Sequence, residues 1–313
     1  MTTGSLHLAR ADVHHGWSRD FPPLLTVDSG AELSVATQDA SGGQLGPGST
    51  AASVTELDFE LVNPVNGPVF VKGARPGDVL QVDILDLEPG SYGWTALIPG
   101  FGLLADAFPD PWLHVWELHE HDALFADGIR VPLEPFCGVL GVAPAAPGTH
   151  SVLPPRRVGG NLDTRQLGPG STLYLPIEVD GALFGVGDTH AAQGDGEVCG
   201  TAIESPMTVS LRLSVRTDLS IDTPEFDVTR PLERPGAAAA GYHATTGVGP
   251  DLMAATRQSV ERMIVYLERH HRLTPEAAYA LCSVAVDLRI SEVVDAPNWV
   301  VSAFLPQDLF VRA

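Results

Sequence analysis

The chain has 313 residues, of which 18 are Lys or Arg and 39 are Asp or Glu, so its formal net charge is −21. Hydrophobic residues make up 44% of the chain and the mean hydropathy is +0.10, which is typical of a folded protein rather than a disordered one. The acidic balance disfavours binding to nucleic acid or to an anionic membrane surface, because both depend on Lys and Arg. The length allows one large domain or two ordinary ones.

The first two thirds of the chain read as short strands separated by turns rich in Gly and Pro. In residues 78–87, Leu80, Val82 and Ile84 alternate with their neighbours at the period of a strand. Residues 171–179 and 210–215 show the same pattern. Many short strands at close spacing predict a mainly β body, a β-sandwich or barrel, over residues 1–220.

The pattern changes after residue 217. Residues 217–236 are polar and rich in Pro, which predicts a linker or an extended arm. Helical periodicity follows in residues 251–271, and a second helix is expected to begin at Thr274-Pro275 and to run as far as Leu288. Strands are expected again near the end of the chain. Residues 221–313 are therefore predicted to form a smaller α+β unit, packed with the body as one globular chain.

The cysteines and the apolar runs of the sequence indicate the cellular compartment in which the protein is expected to lie. The three cysteines, Cys137, Cys199 and Cys282, are far apart and form no CxxC pair, which disfavours a disulfide framework or a structural zinc ribbon. The first twenty residues lack the apolar region of a signal peptide, and the longest apolar stretch, 277–286, is too short to cross a membrane. These features predict a cytoplasmic protein that does not insert into membranes.

Chemistry-bearing residues concentrate between Gly187 and Glu204, in the sequence GDTHAAQGDGEVCGTAIE. Its acidic, imidazole and amide side chains are Asp188, His190, Gln193, Asp195, Glu197 and Glu204. Asp188 and His190 are two residues apart, so on a strand they would point to the same face. Imidazole with carboxylates is a common ligand set for Zn²⁺. The alternative interpretation is an acidic turn that is purely structural or holds Ca²⁺.

Several other hydrolytic sites are disfavoured. Sites built on Cys-Glu-Lys or Ser-Ser-Lys need a catalytic lysine, but the single lysine, Lys72, lies at a predicted strand end without such a signature. The nucleophile elbow GxSxG is absent. Cys199 could be a thiolate nucleophile, although a small buried residue at a tight turn is the expected role.

The sequence resembles the acetamidase/formamidase family. The most specific matching motifs are GGNLDT, at residues 159–164, and GDTHAAQGDGE, which begins at Gly187. Further matching segments follow one another along most of the chain, at residues 27–45, 64–87, 98–106, 136–148, 173–204 and 278–306. The resemblance implies a jelly-roll-like β-sandwich body with a smaller α+β part, and a homo-oligomer, a dimer or larger. It also implies hydrolysis of short aliphatic amides to a carboxylate and ammonia.

The resemblance further implies a divalent metal, with zinc the usual assignment and calcium an alternative. We assign as its ligand pool Asp163, Asp188, His190 and Glu204. Glu197 and Asp195 are predicted catalytic residues, with Glu197 as general base, and Glu197 and Glu204 could exchange roles. The residues predicted to bind substrate are Asn161, Asp39 and Gln193. The alternatives are a non-enzymatic binding protein stabilised by the metal and a hydrolase of a larger amidic compound.

One stretch, residues 106–135, is rich in Trp and His and varies most among chains of this kind. If it lined the pocket, it could admit a substrate other than formamide or acetamide. His119 and His121 could then donate metal ligands. A solvated surface loop is the expected structure of this stretch.

Overall fold

The computed structural model describes residues 6–229 and 240–310. Strands far outnumber helices in these residues, which confirms the predicted mainly β class. Within the same two ranges, no helix combines the length and the apolar content that a membrane crossing requires.

One sheet of the body contains, in spatial order, β1 (Leu6–Leu8), β4 (Ala31–Ala36), β15 (Met207–Arg216), β6 (Val79–Pro89), β13 (Thr172–Pro176) and β16 (Glu225–Asp227). β6 and β15 form the antiparallel centre of this sheet. Leu80, Val82 and Ile84 of β6 are fully buried, as their alternation with polar neighbours predicts.

A second sheet contains, in spatial order, β12 (Gly159–Asn161), β11 (Phe136–Gly141), β14 (Phe184–His190), β5 (Val65–Val71) and β2 (Val13–His14), with β3 (Leu25–Val27) parallel to β5. β14 lies between two antiparallel neighbours, and all seven of its residues are buried. Since its last residues include Asp188 and His190, the strand carries two ionisable side chains into the interior.

The two sheets pack against each other around a shared hydrophobic core. Side chains from both sheets meet in one continuous cluster, among them Val35, Val82, Leu211, Val69, Leu140 and Val186. The cluster extends into the helices of the C-terminal part through Met263 and Leu281. The body is therefore a sandwich, and its core is continuous with that of the C-terminal part.

The stretch 106–135 forms strands rather than a loop. β7 (Tyr92–Leu97) pairs with β8 (Trp112–Glu117), and β9 (Asp122–Ala126) pairs with β10 (Ile129–Pro132). His119 and His121 are exposed, as expected of a solvated surface. Trp116 is instead buried and donates a hydrogen bond from Nε1 to Thr95 Oγ1 at 2.9 Å. A short helix, α1 (Ala51–Val54), lies before β5.

The C-terminal part contains two longer helices with the predicted N-terminal caps. Asp251 caps α2 (Leu252–His271), and Thr274 caps α3 (Pro275–Ala285), each through its side-chain oxygen. The helical prediction for Leu288 was wrong, because α3 ends at Ala285. Leu288 lies in a strand, where it pairs with Ala303 and its backbone N–H donates to Asp195 O.

That strand, β18 (Asp287–Glu292), joins β19 (Trp299–Pro306) and β17 (Tyr242–Gly249) in a three-stranded sheet of the described residues. β17 was not predicted. Part of the predicted arm, residues 225–227, instead forms β16 at the edge of the first sheet, so the body extends beyond residue 220. Residues 230–236 of that arm lie outside the described residues.

Candidate active site

The candidate site lies at the end of β14. His190 is fully buried and Asp188 is nearly so, and their side chains lie on one side of the strand as their spacing predicts. His190 Nε2 is 3.2 Å from Asp188 Oδ1. β14 is apolar or Gly along most of its length, and its last residues place an imidazole and a carboxylate next to each other in the interior.

Glu204 returns to the same point after a turn-rich loop. Its backbone forms isolated bridges with His190 and Trp94, which fix its position beside the end of β14. The carboxylate oxygen Oε2 lies 3.2 Å from His190 Nε2, and Oε1 accepts the backbone N–H of Ala202 at 2.8 Å. Glu204 is 2% exposed.

Asp163 and Glu197 approach from two other loops. Asp163 follows β12 and is tethered by its backbone N–H to Gly138 O. Its side chain is in hydrogen-bonding contact with that of Glu197. Ligand atoms of Asp163, His190 and Glu197 lie within 4.8 Å of one another, and the same holds for Asp188, His190 and Glu204. His190 is therefore shared by two groups of acidic side chains.

Burial and mutual repulsion govern the ionisation of this cluster. Burial raises the pKa of Asp163 to about 7, with a further contribution from Asp188. Burial also raises the pKa of Glu197 well above its ordinary range and raises that of Glu204. Burial alone lowers the His190 pKa, but Glu204 and Asp188 outweigh it and raise the pKa well above its usual value. Negative charge in the cluster is therefore unfavourable unless protons or a cation neutralise it.

Gln193 determines which nitrogen of His190 carries a proton. Gln193 Nε2 donates to the backbone oxygen of Asp163 at 2.8 Å, so its Oε1 faces His190 Nδ1 at 2.9 Å. An amide oxygen can only accept, so Nδ1 carries the hydrogen and Nε2 is left to face the carboxylates. This is the arrangement of metal-binding histidines, whose second nitrogen donates to a neighbouring acceptor. Gln193 is thus placed to orient His190. These contacts do not support the substrate-binding role that was predicted for Gln193 from the sequence.

These residues fit a divalent cation. Glu204 Oε2 is buried and faces His190 Nε2, and buried Asp163 Oδ1 has no hydrogen-bond partner of normal geometry among the described residues. Buried carboxylate oxygens are normally satisfied, and a cation among them would supply the missing interaction. The imidazole favours zinc or a related transition metal over calcium, which prefers oxygen ligands throughout.

Three acidic residues of the cluster have a left-handed backbone. The φ angles are 45° at Asp163, 50° at Asp188 and 42° at Glu197. This conformation is uncommon outside Gly and costs on the order of 1–2 kcal/mol per residue. Such strain persists where the surrounding structure imposes it, and it concentrates at functional sites. The fold therefore holds these carboxyl groups in place at a cost to its stability.

The cluster forms the floor of a cavity of about 450 Å³. Asn161 also lines it, and its Nδ2 donates to Asp163 Oδ2 at 2.8 Å, while Oδ1 has no partner among the described residues. Asn161 therefore lies beside the carboxylates and lines the cavity. The remaining wall is mostly apolar, and no residue of the stretch 106–135 contributes to it.

Asn63 is a site residue that was not predicted from the sequence. This residue is 7% exposed, lines the cavity and donates from Nδ2 to Asp188 Oδ2 at 3.2 Å. Its φ of 50° is left-handed, a conformation that Asn tolerates better than most residues. The only signal in the sequence is an Asn-Pro turn directly before the matching segment that begins at Pro64.

Two predicted site residues lie elsewhere. Asp39 is buried beside the cavity wall, where its Oδ1 accepts from Ser41 N and Trp94 Nε1 at 2.9 and 3.0 Å, so it supports the wall without lining the cavity. Asp195 Oδ1 accepts hydrogen bonds from Arg165 Nε at 3.0 Å and Gln166 Nε2 at 2.9 Å. The turn at Asp195 is also bonded to β18, which directs its carboxylate away from the cavity. These contacts argue against the substrate-binding role predicted for Asp39 and the catalytic role predicted for Asp195.

The loop that carries Glu197 rests on α3. Ser283 Oγ accepts from Cys199 N at 3.1 Å and donates to Thr201 O at 2.7 Å, and Tyr279 donates to Val198 O. Cys199 itself is buried, which raises its pKa to about 11. It is therefore a packed thiol rather than a thiolate nucleophile.

Comparison with known proteins agrees with these motifs. The sequence profile of the acetamidase/formamidase family matches residues 3–152 and 145–312. A formamidase from Methylophilus methylotrophus is 27% identical over 95% of this chain and 89% of its own length. An acetamidase from Mycolicibacterium smegmatis is 32% identical over 61% of this chain and 63% of its own length.

The fold has a close counterpart among solved structures. A γ-lactamase from Delftia acidovorans superposes with a TM-score of 0.87 at 28% identity, over 96% of this chain and 89% of that chain. The sequence match and the shared fold both extend over nearly the whole chain. The protein therefore belongs to the acetamidase/formamidase family.

Proposed function

We propose that the protein is a metal-dependent hydrolase that cleaves short aliphatic amides to a carboxylate and ammonia. Membership of the family and the named activities of the formamidase and acetamidase relatives support the amidohydrolase activity. The observation that carries the metal dependence is the buried imidazole of His190 among four carboxyl groups that can offer ligand atoms within 4.8 Å of its nitrogen. The non-enzymatic alternative lacks comparable support.

Asp188, His190 and Glu204, with Asp163, are proposed to hold the metal. Bound there, a zinc ion would polarise the amide carbonyl and acidify a water molecule. His190 would contribute Nε2, because Gln193 keeps the proton on Nδ1. Asn63 would hold Asp188 in place through its amide N–H.

Glu197 is proposed to move the proton. Burial raises its pKa well above the ordinary range of Glu, which makes the carboxylate a better proton acceptor. It would take a proton from the attacking water and deliver it to the amide nitrogen, which leaves as ammonia when the C–N bond breaks. Asn161 lines the cavity, and its Oδ1, which has no partner in the described chain, would accept a hydrogen bond from the substrate N–H.

Metal content and ammonia release test the proposal together. Purified protein is assayed with formamide, acetamide and propionamide before chelation, after chelation and after zinc is added back. We expect ammonia release to stop on chelation and to return with zinc. Full activity in metal-free protein would contradict the proposed metal dependence. Absence of ammonia from any amide, with metal bound, would contradict the amidase activity.

Two substitutions in one loop separate the role of Glu197 from that of its neighbour. Glu197→Gln is expected to lower kcat by about 100-fold or more while metal remains bound, because it removes the proton acceptor. Asp195→Asn is the matched control, since that carboxylate contacts Arg165 and not the cavity. Asp195→Asn is expected to lower the free energy of unfolding, while its kcat stays within a few-fold of the wild-type value. Full turnover by Glu197→Gln with metal retained would exclude Glu197 as the base.

A further inference from the structure

The cavity has two chemically different halves. Its floor carries the carboxyl groups and Asn161. The opposite wall and the mouth are apolar, and are formed by Phe59, Val62, Ile98, Phe101, Leu153 and Pro154. Three of these side chains come from separate loops and are partly exposed: Phe59 is 50%, Phe101 43% and Leu153 39% exposed. Apolar side chains that converge from three loops form a surface suited to an apolar ligand.

The volume of the cavity exceeds what the smallest amides need. At about 30 Å³ for each water molecule in the liquid, 450 Å³ corresponds to roughly 15 waters. Formamide and acetamide have only a few non-hydrogen atoms, so either would leave most of the apolar wall in contact with solvent. An amide with a longer or branched hydrocarbon chain would cover that wall and displace this water.

We infer that the preferred substrates are primary amides whose acyl group carries an apolar chain of several carbons, and that Phe101 and Leu153 are specificity-determining residues. This inference rests on the proposed function. With the amide group against Asn161 and the carboxylates, the hydrocarbon chain would lie against the apolar residues that line the same cavity. Phe101 is well placed to receive it, because its ring lies against Gly200 in the turn between Glu197 and Glu204.

The expected increase in kcat/KM with the length of the acyl chain follows from the burial of methylene groups. Each methylene that moves from water to the wall should raise kcat/KM by about fourfold until the wall is covered. Hexanamide has four more methylenes than acetamide. Its kcat/KM is therefore expected to exceed that of acetamide by about tenfold or more.

The experiment measures kcat/KM by ammonia release, with zinc-loaded protein, for acetamide, propionamide, butyramide and hexanamide. Phe101→Ala is expected to lower the hexanamide-to-acetamide ratio by about tenfold, and Phe101→Leu to restore part of it. Leu153→Ala, in a different loop, gives an independent second test if Phe101→Ala folds poorly. Phe226→Ala is the matched control, because Phe226 is 44% exposed on β16 and does not line this cavity.

The outcomes distinguish the inference from the proposed function. A ratio that rises with chain length and falls in both loop variants but not in Phe226→Ala would support the inference. A flat or falling series, with acetamide hydrolysed, would overturn the inference and leave the proposed function intact. Absence of hydrolysis for every amide by zinc-loaded protein would overturn both.

Discussion

Gln193 shows how much of the site depends on one neutral side chain. Its amide N–H is committed to the backbone of Asp163, so its oxygen faces His190 Nδ1. Reversal of this amide would place two donors against each other or leave a buried carbonyl unpaired. The proton on His190 Nδ1 is therefore held by a residue that does not line the cavity.

Substitution of Gln193 should weaken metal binding without unfolding the protein. Gln193→Leu keeps the volume but removes the acceptor for His190 Nδ1, and we expect zinc affinity to fall by about 10- to 100-fold. Competition with a chromophoric chelator measures this affinity directly. Gln166→Leu is the control, since Gln166 bonds to Asp195 and not to His190. Equal zinc affinity in the Gln193 variant and the wild type would contradict the orienting role.

At the scale of elements, the site depends on the close approach of β11 to β14. Gly138, on β11, carries no side chain at the point where Asp163 and His190 converge. A Cβ added there would lie 2.7 Å from Asp163 Oδ1, 2.9 Å from Asp188 O and 3.0 Å from His190 Cε1. The absence of a side chain at this strand position leaves the space that the cluster occupies.

Gly138→Ala should therefore disturb the site more than the sheet. The added methyl group would displace Asp163 or His190, and we expect kcat/KM for the best amide to fall by about 10- to 100-fold with most of the folding stability retained. Gly249→Ala is the control, because a Cβ there meets nothing within 4 Å. The prediction fails if Gly138→Ala matches the wild type in activity and zinc content.

The elements themselves were largely predictable because their signals are local. Strand alternation around Val82 and the caps Asp251 and Thr274 depend on neighbours in the chain, and the structure has these strands and helices. Leu288 was misassigned to a helix because its strand pairing with Ala303 and its bond to Asp195 are made over long sequence distances. Short apolar runs do not distinguish helix from strand without such partners.

The site was also predictable in part, because some of its residues are close together in the sequence. The spacing of Asp188 and His190 and the motif around Glu197 predicted a cluster that the structure does bring together. Asn63 and the apolar wall belong to loops that are distant in the chain, and no local pattern marks them. The contact that argues against a catalytic role for Asp195 is made by Arg165, which lies thirty residues away in the chain. The cytoplasmic location and the homo-oligomer stay predictions.

At the scale of the whole molecule, stability is expected to depend on pH through His14. This side chain lies on β2, packs near the rings of Trp17 and Phe21, and has a buried Nδ1. Burial lowers its pKa from 6.5 to about 4. The folded state thus binds this proton less readily than the unfolded state between these two pH values, and the free energy of unfolding must fall as the pH falls through that range.

The contribution of His14 should amount to about 2–3 kcal/mol between pH 6.5 and pH 4. His14→Phe removes the titration, so its free energy of unfolding should decline less steeply than that of the wild type over this window. Urea titrations monitored by Trp fluorescence measure both slopes, and exposed His15, replaced by Phe, is the control. Identical slopes for His14→Phe and the wild type would contradict the prediction.

The left-handed backbone at Asp163, Asp188 and Glu197 has a consequence for how this protein would respond to selection. Gly adopts that conformation without penalty, so Gly at each position would relieve about 1 kcal/mol of strain while removing a carboxyl group. A randomised library screened only for heat resistance should therefore enrich Gly at these three positions, and the survivors should be inactive. Selection for stability would then favour Gly at these positions, whereas activity requires the carboxyl groups. Positions with this conflict would identify the active site without any assay of catalysis.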